Sequence, residues 1–263
     1  FMTRTPGGRL IKNPRAANFV RRFSNGNFIY WFHNHSGKSY EGRNPAWMCG
    51  GVEREGFIHW SQPEVVLYDE DPGVRISYPD FIEQDGRYFI TETQKTIARV
   101  HEVDASLLEG MWRQDKIAEV AGDALALDLG GEACAAGAEA AMPALPKLTD
   151  GVGFTVEAWV RFESLDPGQV LFDAKDEAGK GIALSVTDRR TVQLSMRGMV
   201  NAPPGGRNLG CSACECVWDC DPGVLSTGRW HHLAVTVDAG PKIITFVVDG
   251  VLCDGGEVRQ FGW

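Results

Sequence analysis

Apolar residues recur in this chain with a period of two over short runs, and glycine, proline, asparagine and aspartate break those runs every few positions. A period of two places alternate side chains on opposite faces of an extended strand. Phe19-Val-Arg-Arg-Phe-Ser and Asn27-Phe-Ile-Tyr-Trp-Phe flank Asn25-Gly26. The long run from Arg75 to Gln94 is split in the same way by Asp85-Gly86. Both dipeptides tolerate the positive φ angles of a tight turn, so each run predicts a β-hairpin. Trp47 to Val52, Glu55 to Trp60, Glu64 to Tyr68 and Ala98 to Val103 read as further strands, and Asp104 caps a short helix over Ala105 to Glu109.

The pattern changes after residue 113. Residues 114–150 are rich in alanine and glycine and poor in aromatics, with one candidate strand at Ala124 to Leu129. Strict alternation then returns. Phe154, Val156, Ala158, Val160 and Phe162 share one face, while Thr155, Glu157, Trp159 and Arg161 share the other. Val192, Leu194 and Met196 repeat the pattern, as do Leu233, Val235 and Val237. Ile243 to Val248 is apolar on both faces and turns at Asp249-Gly250. The expected fold class is all-β: blade-like four-stranded units over 1–113, a linker and first strand over 114–150, and a β-sandwich over 151–263.

Composition sharpens this picture. The chain has 263 residues, a formal charge of -9, 31 glycines and 8 tryptophans. A net acidic surface excludes the basic footprint of a nucleic-acid binder, so no nucleic-acid partner is expected. No run approaches the ~18 apolar residues of a membrane span, and no cofactor is expected. There are 7 cysteines, four of them in Cys211-Ser-Ala-Cys214-Glu-Cys216-Val-Trp-Asp-Cys220 within a loop at 201–223. That crowding is read as disulfide staples of an exported protein, with a thiolate metal knuckle or free thiols as alternatives.

Candidate chemistry gathers at the start of the second hairpin. Tyr78 is fixed ahead of Pro79, which suits the first residue of a strand because it lacks an amide donor. Tyr78, Asp80 and Arg75 therefore share one strand end. Packing of the tyrosine and turn-capping by the aspartate is the plainer alternative. Trp31 and Trp47 are candidate sugar-stacking surfaces, with burial in a β core as the alternative. His33 is a candidate sugar contact. His33 and His35 also have the spacing of two metal ligands on one strand face, but no third ligand accompanies them, and no metal site is expected.

Two resemblances add to this. Gly153-Phe-Thr-Val-Glu-Ala-Trp-Val-Arg161, Gly228-Arg-Trp-His-His-Leu-Ala-Val-Thr-Val-Asp238 and Phe246-Val-Val-Asp-Gly-Val251 resemble a laminin-G-like, concanavalin A-like jelly roll. The resemblance implies glycan or protein binding, and structural roles for His231 and His232. The cysteine loop departs from that pattern. Tyr78-Pro-Asp-Phe with Asp85-Gly86 and Thr91-Glu92, together with Asn13-Pro-Arg15, resembles the C-terminal blades of a sialidase-like β-propeller. That resemblance implies a glycosidase in which Tyr78 is the nucleophile and Arg15 clamps a carboxylate through paired hydrogen bonds, with Asp80 and Glu92 assisting. Sialidases more often have a small polar residue where Pro79 stands, and the rest of their catalytic set comes from earlier blades. Two to three blades do not close a ring, since closure needs about four. The expectation is thus a partial propeller, completed by blades outside this sequence or by self-association. It acts on or binds a glycan, in an extracellular or periplasmic setting.

Overall fold

The computed structural model describes residues 11, 13, 17–33, 43–71, 74–117, 122–198, 211–212 and 215–253. The first five strands, β1 (Phe19–Arg22), β2 (Phe28–Phe32), β3 (Ala46–Arg54), β4 (Phe57–Trp60) and β5 (Glu64–Leu67), form one antiparallel sheet. Strand β3 is its spine. One edge pairs with β2, and the other is shared by β4 against the C-terminal half and β5 against the N-terminal half. Glu55 and Gly56 both have positive φ, 53° and 80°, so the β3–β4 hairpin closes through the mirror-image turn that matches strand twist.

A second, three-stranded meander follows: β6 (Ser77–Gln84), β7 (Arg87–Gln94) and β8 (Ile97–Val103). Helix α1 (Ala105–Arg113) comes next, its N-terminus capped by Asp104, whose carboxylate accepts the Ser106 amide. It runs one turn beyond the sequence expectation because Leu108, Met111 and Trp112 supply a buried stripe. That stripe packs on β3. A Cβ at Gly50 would stand 2.7 Å from the Met111 Cβ, so glycine is what lets helix and strand approach.

The five-stranded sheet is buried on both sides. Ile29, Trp31, Ala46 and Met48 face the meander and α1, in a core with Ile76, Phe81 and Ile90. Tyr30, Phe32, Trp47, Cys49 and Trp60 face the other way and close over Ile243 from the second half of the chain. Ser24 pins the β1–β2 turn to β6, its amide and hydroxyl both donating to Glu83, which holds that carboxylate below its usual range. The described residues of this half thus form one five-stranded and one three-stranded antiparallel sheet, in place of four-stranded units.

Residues 122–147 carry no strand. The expected strand at Ala124 to Leu129 is instead extended chain with Leu125, Leu127 and Leu129 exposed, because no partner edge lies beside it. The second half is a two-sheet sandwich. One sheet runs β17 (Val251–Cys253), β16 (Ile243–Val248), β15 (Trp230–Asp238), β9 (Phe154–Arg161). The other runs β10 (Val170–Asp173), β11 (Gly181–Val186), β12 (Val192–Arg197), β14 (Glu215–Asp219), β13 (Cys211–Ser212). The alternation read in the sequence sets their facing: Leu233, Val235, Val237, Ile244, Phe246 and Val248 meet Ile182, Leu184, Val192, Leu194 and Met196 in one core.

His231 lies inside this sandwich. Its Nδ1 is 2.9 Å from the Asp249 carboxylate and its Nε2 stands 3.0 Å from the Ser226 amide. Burial alone would raise the Asp249 pKa, but the His232 amide, His231 and Arg229 together hold it below its usual range. Cys216 is disulfide-bonded, to a cysteine whose side chain lies outside the described residues.

Candidate functional site

Two places on the molecule gather polar chemistry. The first is the start of β6. The β6–β7 register slips between Ser77 and Asp80, and Tyr78 sits in that bulge at φ 53°, in the left-handed region that a bulky residue rarely adopts. Its side chain is 63% exposed. The Arg43 guanidinium lies 5.9 Å from the Tyr78 ring centroid and donates to the Ser77 hydroxyl at 3.0 Å. Arg43 carried no motif in the sequence. Asp80 serves its own backbone: its carboxylate accepts the Phe81 amide at 2.8 Å. Glu92 is 1% exposed and takes Arg99 at 2.9 Å, with His101 Nε2 at 3.5 Å, both reaching it from β8. Its second oxygen, Oε2, has no partner among the described residues. No hydrogen bond joins Tyr78 to Glu92 among them.

The other expected contacts separate. Arg75 is exposed on the approach to β6. Arg15 and His35 lie outside the described residues. His33 is buried, its ring 3.3 Å from the Pro45 carbonyl and edge-on to Trp31. Trp31 is fully buried between the two N-terminal sheets, so it belongs to the core and has no face for a sugar. Trp47 is buried as well, packed with Phe32 and Cys49, and meets open space only where it edges the cleft described next. The cause is the same for both: β2 and β3 are covered on both faces, which leaves no solvent side for their aromatics.

The second place is a cleft of about 880 Å³ between the five-stranded sheet and the outer face of the β17-β16-β15-β9 sheet. Its N-terminal wall carries Trp60, His59, Gln62 and Glu64, and its sandwich wall Glu157, His232, Thr236 and Asp238. Gln62 bridges the walls, donating to the Gly250 carbonyl and accepting the Leu252 amide at 3.2 Å. Arg54 and Asp115 pair at the rim. Glu64 has its pKa pushed up to about 7, by burial first and then by the charge of Asp238. Burial raises Asp238 too, against a hydrogen bond from the Gly240 amide that lowers it.

The sandwich wall continues outward as an aromatic platform. Trp159 of β9 is 67% exposed and Trp230 of β15 is 60% exposed. In the β9–β15 register Trp159 faces His232 and Trp230 faces Arg161, so the two indoles are diagonal neighbours on one face. The Trp159 ring lies 5.0 Å from the His232 ring, and His232 Nε2 is 2.5 Å from Glu157 Oε1. Two indoles, an imidazole, a carboxylate and a guanidinium thus share one open surface. The sequence placed Glu157, Trp159 and Arg161 together on the polar side of β9. The signal left unused was a tryptophan at a solvent-facing position of an alternating strand.

A family model described as the concanavalin A-like lectin/glucanases superfamily matches residues 135–261, just under half of the chain. These residues form a laminin-G-like, concanavalin A-like jelly-roll domain, the class within which the platform lies. No match was found among curated proteins. Among the described residues no helix is long and apolar enough to cross a membrane, and no group of three or more metal-ligating side chains forms.

Proposed function

We propose that the protein binds carbohydrate through the outer face of its concanavalin A-like sandwich, with Trp159 and Trp230 as the stacking surfaces. The observation that carries this reading is the pair of open indoles on adjacent strands. An indole exposed to water leaves apolar area unburied, and grouped exposed apolar surface marks a binding site. A sugar ring offers a C–H face to such a surface and a rim of hydroxyls around it. His232, Glu157 and Arg161 supply donors and acceptors for that rim. This reading sets the protein outside the cell, where glycans of that kind are met.

The test is a glycan array followed by calorimetry on the best ligands. Wild type should bind at least one glycan class, and the double variant Trp159→Ala/Trp230→Ala should lose about tenfold or more, the equivalent of ~1.4 kcal/mol. Its melting temperature should stay near wild type, since both side chains are open. Undiminished binding by the double variant would remove the platform from the reading.

A second reading, sialidase-like hydrolysis by the N-terminal sheets as part of a propeller, is favoured by one observation: the strained, open Tyr78 beneath Arg43, with the buried Glu92 carboxylate in the same meander. Backbone strain of this kind concentrates at functional sites. On this reading Tyr78 is the nucleophile. The variant Tyr78→Phe, assayed with a fluorogenic sialoside in a preparation that turns it over, should lose nearly all turnover; full activity would eliminate the assignment.

A further inference from the structure

We propose that the Trp159–Trp230 platform takes a linear, uncharged glycan whose rings are linked and substituted through equatorial bonds alone, as in β-1,4-linked glucose or N-acetylglucosamine. The proposal rests on the carbohydrate reading above and names its ligand class.

Both indoles stand on one face of one antiparallel pair. Glu157, Trp159 and Arg161 of β9 share that face with Trp230, His232 and Ala234 of β15. Trp159 lies opposite His232 and Trp230 opposite Arg161, so the indoles occupy a diagonal, about 7–8 Å apart between Cα atoms in such a pair. Adjoining rings of one chain can therefore cover both. Each indole is open to solvent over most of its surface, so the face takes the middle of a chain as readily as its end.

Charge narrows the ligand class. Glu157 is engaged by His232, and Arg161 by Glu163. Charges of opposite sign sit side by side along the face, so a charged ligand meets repulsion as well as attraction there. Hydroxyls both donate and accept, and they match the mixed lone pairs and N–H bonds around the indoles. Ring stereochemistry narrows the class further. An indole packs on C–H bonds, and an axial hydroxyl pressed against it loses water without gaining a partner. In an extended β-1,4-linked chain successive rings are turned over, so two indoles on one side meet opposite faces of adjoining rings. Both faces must then be free of axial hydroxyls. Gluco-configured rings meet that condition. Manno-configured rings carry an axial O2 and offer a clean face only at every second ring. An α-1,4 linkage leaves through an axial bond and curls the chain, so its adjoining rings do not lie along one open face.

The experiment is calorimetry of wild type, Trp159→Ala and Trp230→Ala with four hexamers: cellohexaose, N-acetylated chitohexaose, β-1,4-mannohexaose and maltohexaose. At least one of the first two should bind wild type about tenfold or more tightly than mannohexaose and maltohexaose do. Which of the two binds better tells whether the C2 substituent is a hydroxyl or an acetamide. Each single tryptophan variant should bind that ligand more weakly. Each should also lose most of the preference over mannohexaose, because one remaining indole needs only one clean ring face. Loss of that preference separates stacking from a merely structural role for either tryptophan. Equal binding of mannohexaose or maltohexaose to wild type, or a preference that survives in both variants, overturns the all-equatorial assignment and leaves the carbohydrate reading standing. Tighter binding of an acidic or amine-bearing glycan on a broad array overturns the uncharged assignment and leaves that reading standing too. Absence of binding to any glycan on the array defeats the carbohydrate reading and this proposal with it.

Discussion

Two regions of this molecule use tryptophan for opposite ends. In the N-terminal sheets Trp31, Trp47, Trp60 and Trp112 are all buried, as is Trp218 in the sandwich core; on the outer face of β9 and β15 Trp159 and Trp230 stand in solvent. Residue type is the same, and so is strand context. What differs is the number of covered faces. Strand β2 lies in a sheet packed on one side by α1 and the meander and on the other by the sandwich, so successive residues of Phe28–Phe32 all point into protein. Strand β9 is the edge of its sheet farthest from that contact along β17-β16-β15-β9, and its burial alternates residue by residue. A strand covered twice consumes its aromatics as packing. A strand covered once leaves them for a ligand.

The sharpest way to break this comparison is to truncate one tryptophan of each kind. Trp31→Ala removes a fully enclosed indole from between two sheets and should cost about 3–5 kcal/mol in denaturant unfolding. Trp159→Ala removes an open one and should stay within about 0.5 kcal/mol of wild type. Similar losses for the two would mean that the platform packs against protein in solution. A smaller effect is expected where the covering element touches the sheet. Gly50→Ala puts a methyl group 2.7 Å from the Met111 Cβ and should destabilise by about 1–3 kcal/mol, with α1 displaced from β3. Unchanged stability would show that the helix is not what seals that face.

The difference between the halves also decides what the sequence made legible. Period-two alternation depends on one wet face, and the sandwich has one, so the facing of β9, β12 and β15 was readable in advance. The acidic-residue–glycine turns Asp85-Gly86 and Asp249-Gly250 were readable because positive φ is a local demand. Strands β2 and β3 read as strands, but nothing local says that both faces are covered; that follows from α1 and Ile243 arriving from far along the chain. Trp31 and Trp47 therefore looked like candidate sugar platforms when they are core. Trp159 was visibly on a polar face, yet its partner Trp230 is 71 residues away, at a register that only the folded sheet reveals. Glu64 and Asp238 carry no motif at all, because what places both on one cleft is two separate sheets docking through Ile243 and Gln62.

That docking yields the smallest and most specific effect. Glu64 has its pKa raised from 4.5 to about 7, by desolvation first and then by Asp238. The ionised carboxylate is therefore less comfortable folded than unfolded, and the folded chain holds a proton that the unfolded chain releases between those two values. Stability from this residue is greatest below the unfolded value, falls as pH rises from 4.5 toward 7, and is level above that. His59, Asp115, Glu157, His232 and Asp238 line the same cleft, so the diagnostic is a difference between proteins. Glu64→Gln removes this titration and keeps the shape. Melting temperatures of wild type and variant should run close together near pH 4.5, then diverge by a few degrees by pH 7.5, with the variant the more stable. Parallel curves would show that the cleft is open enough for water to screen Glu64, and that the two halves sit less tightly on each other than Ile243 and Gln62 imply.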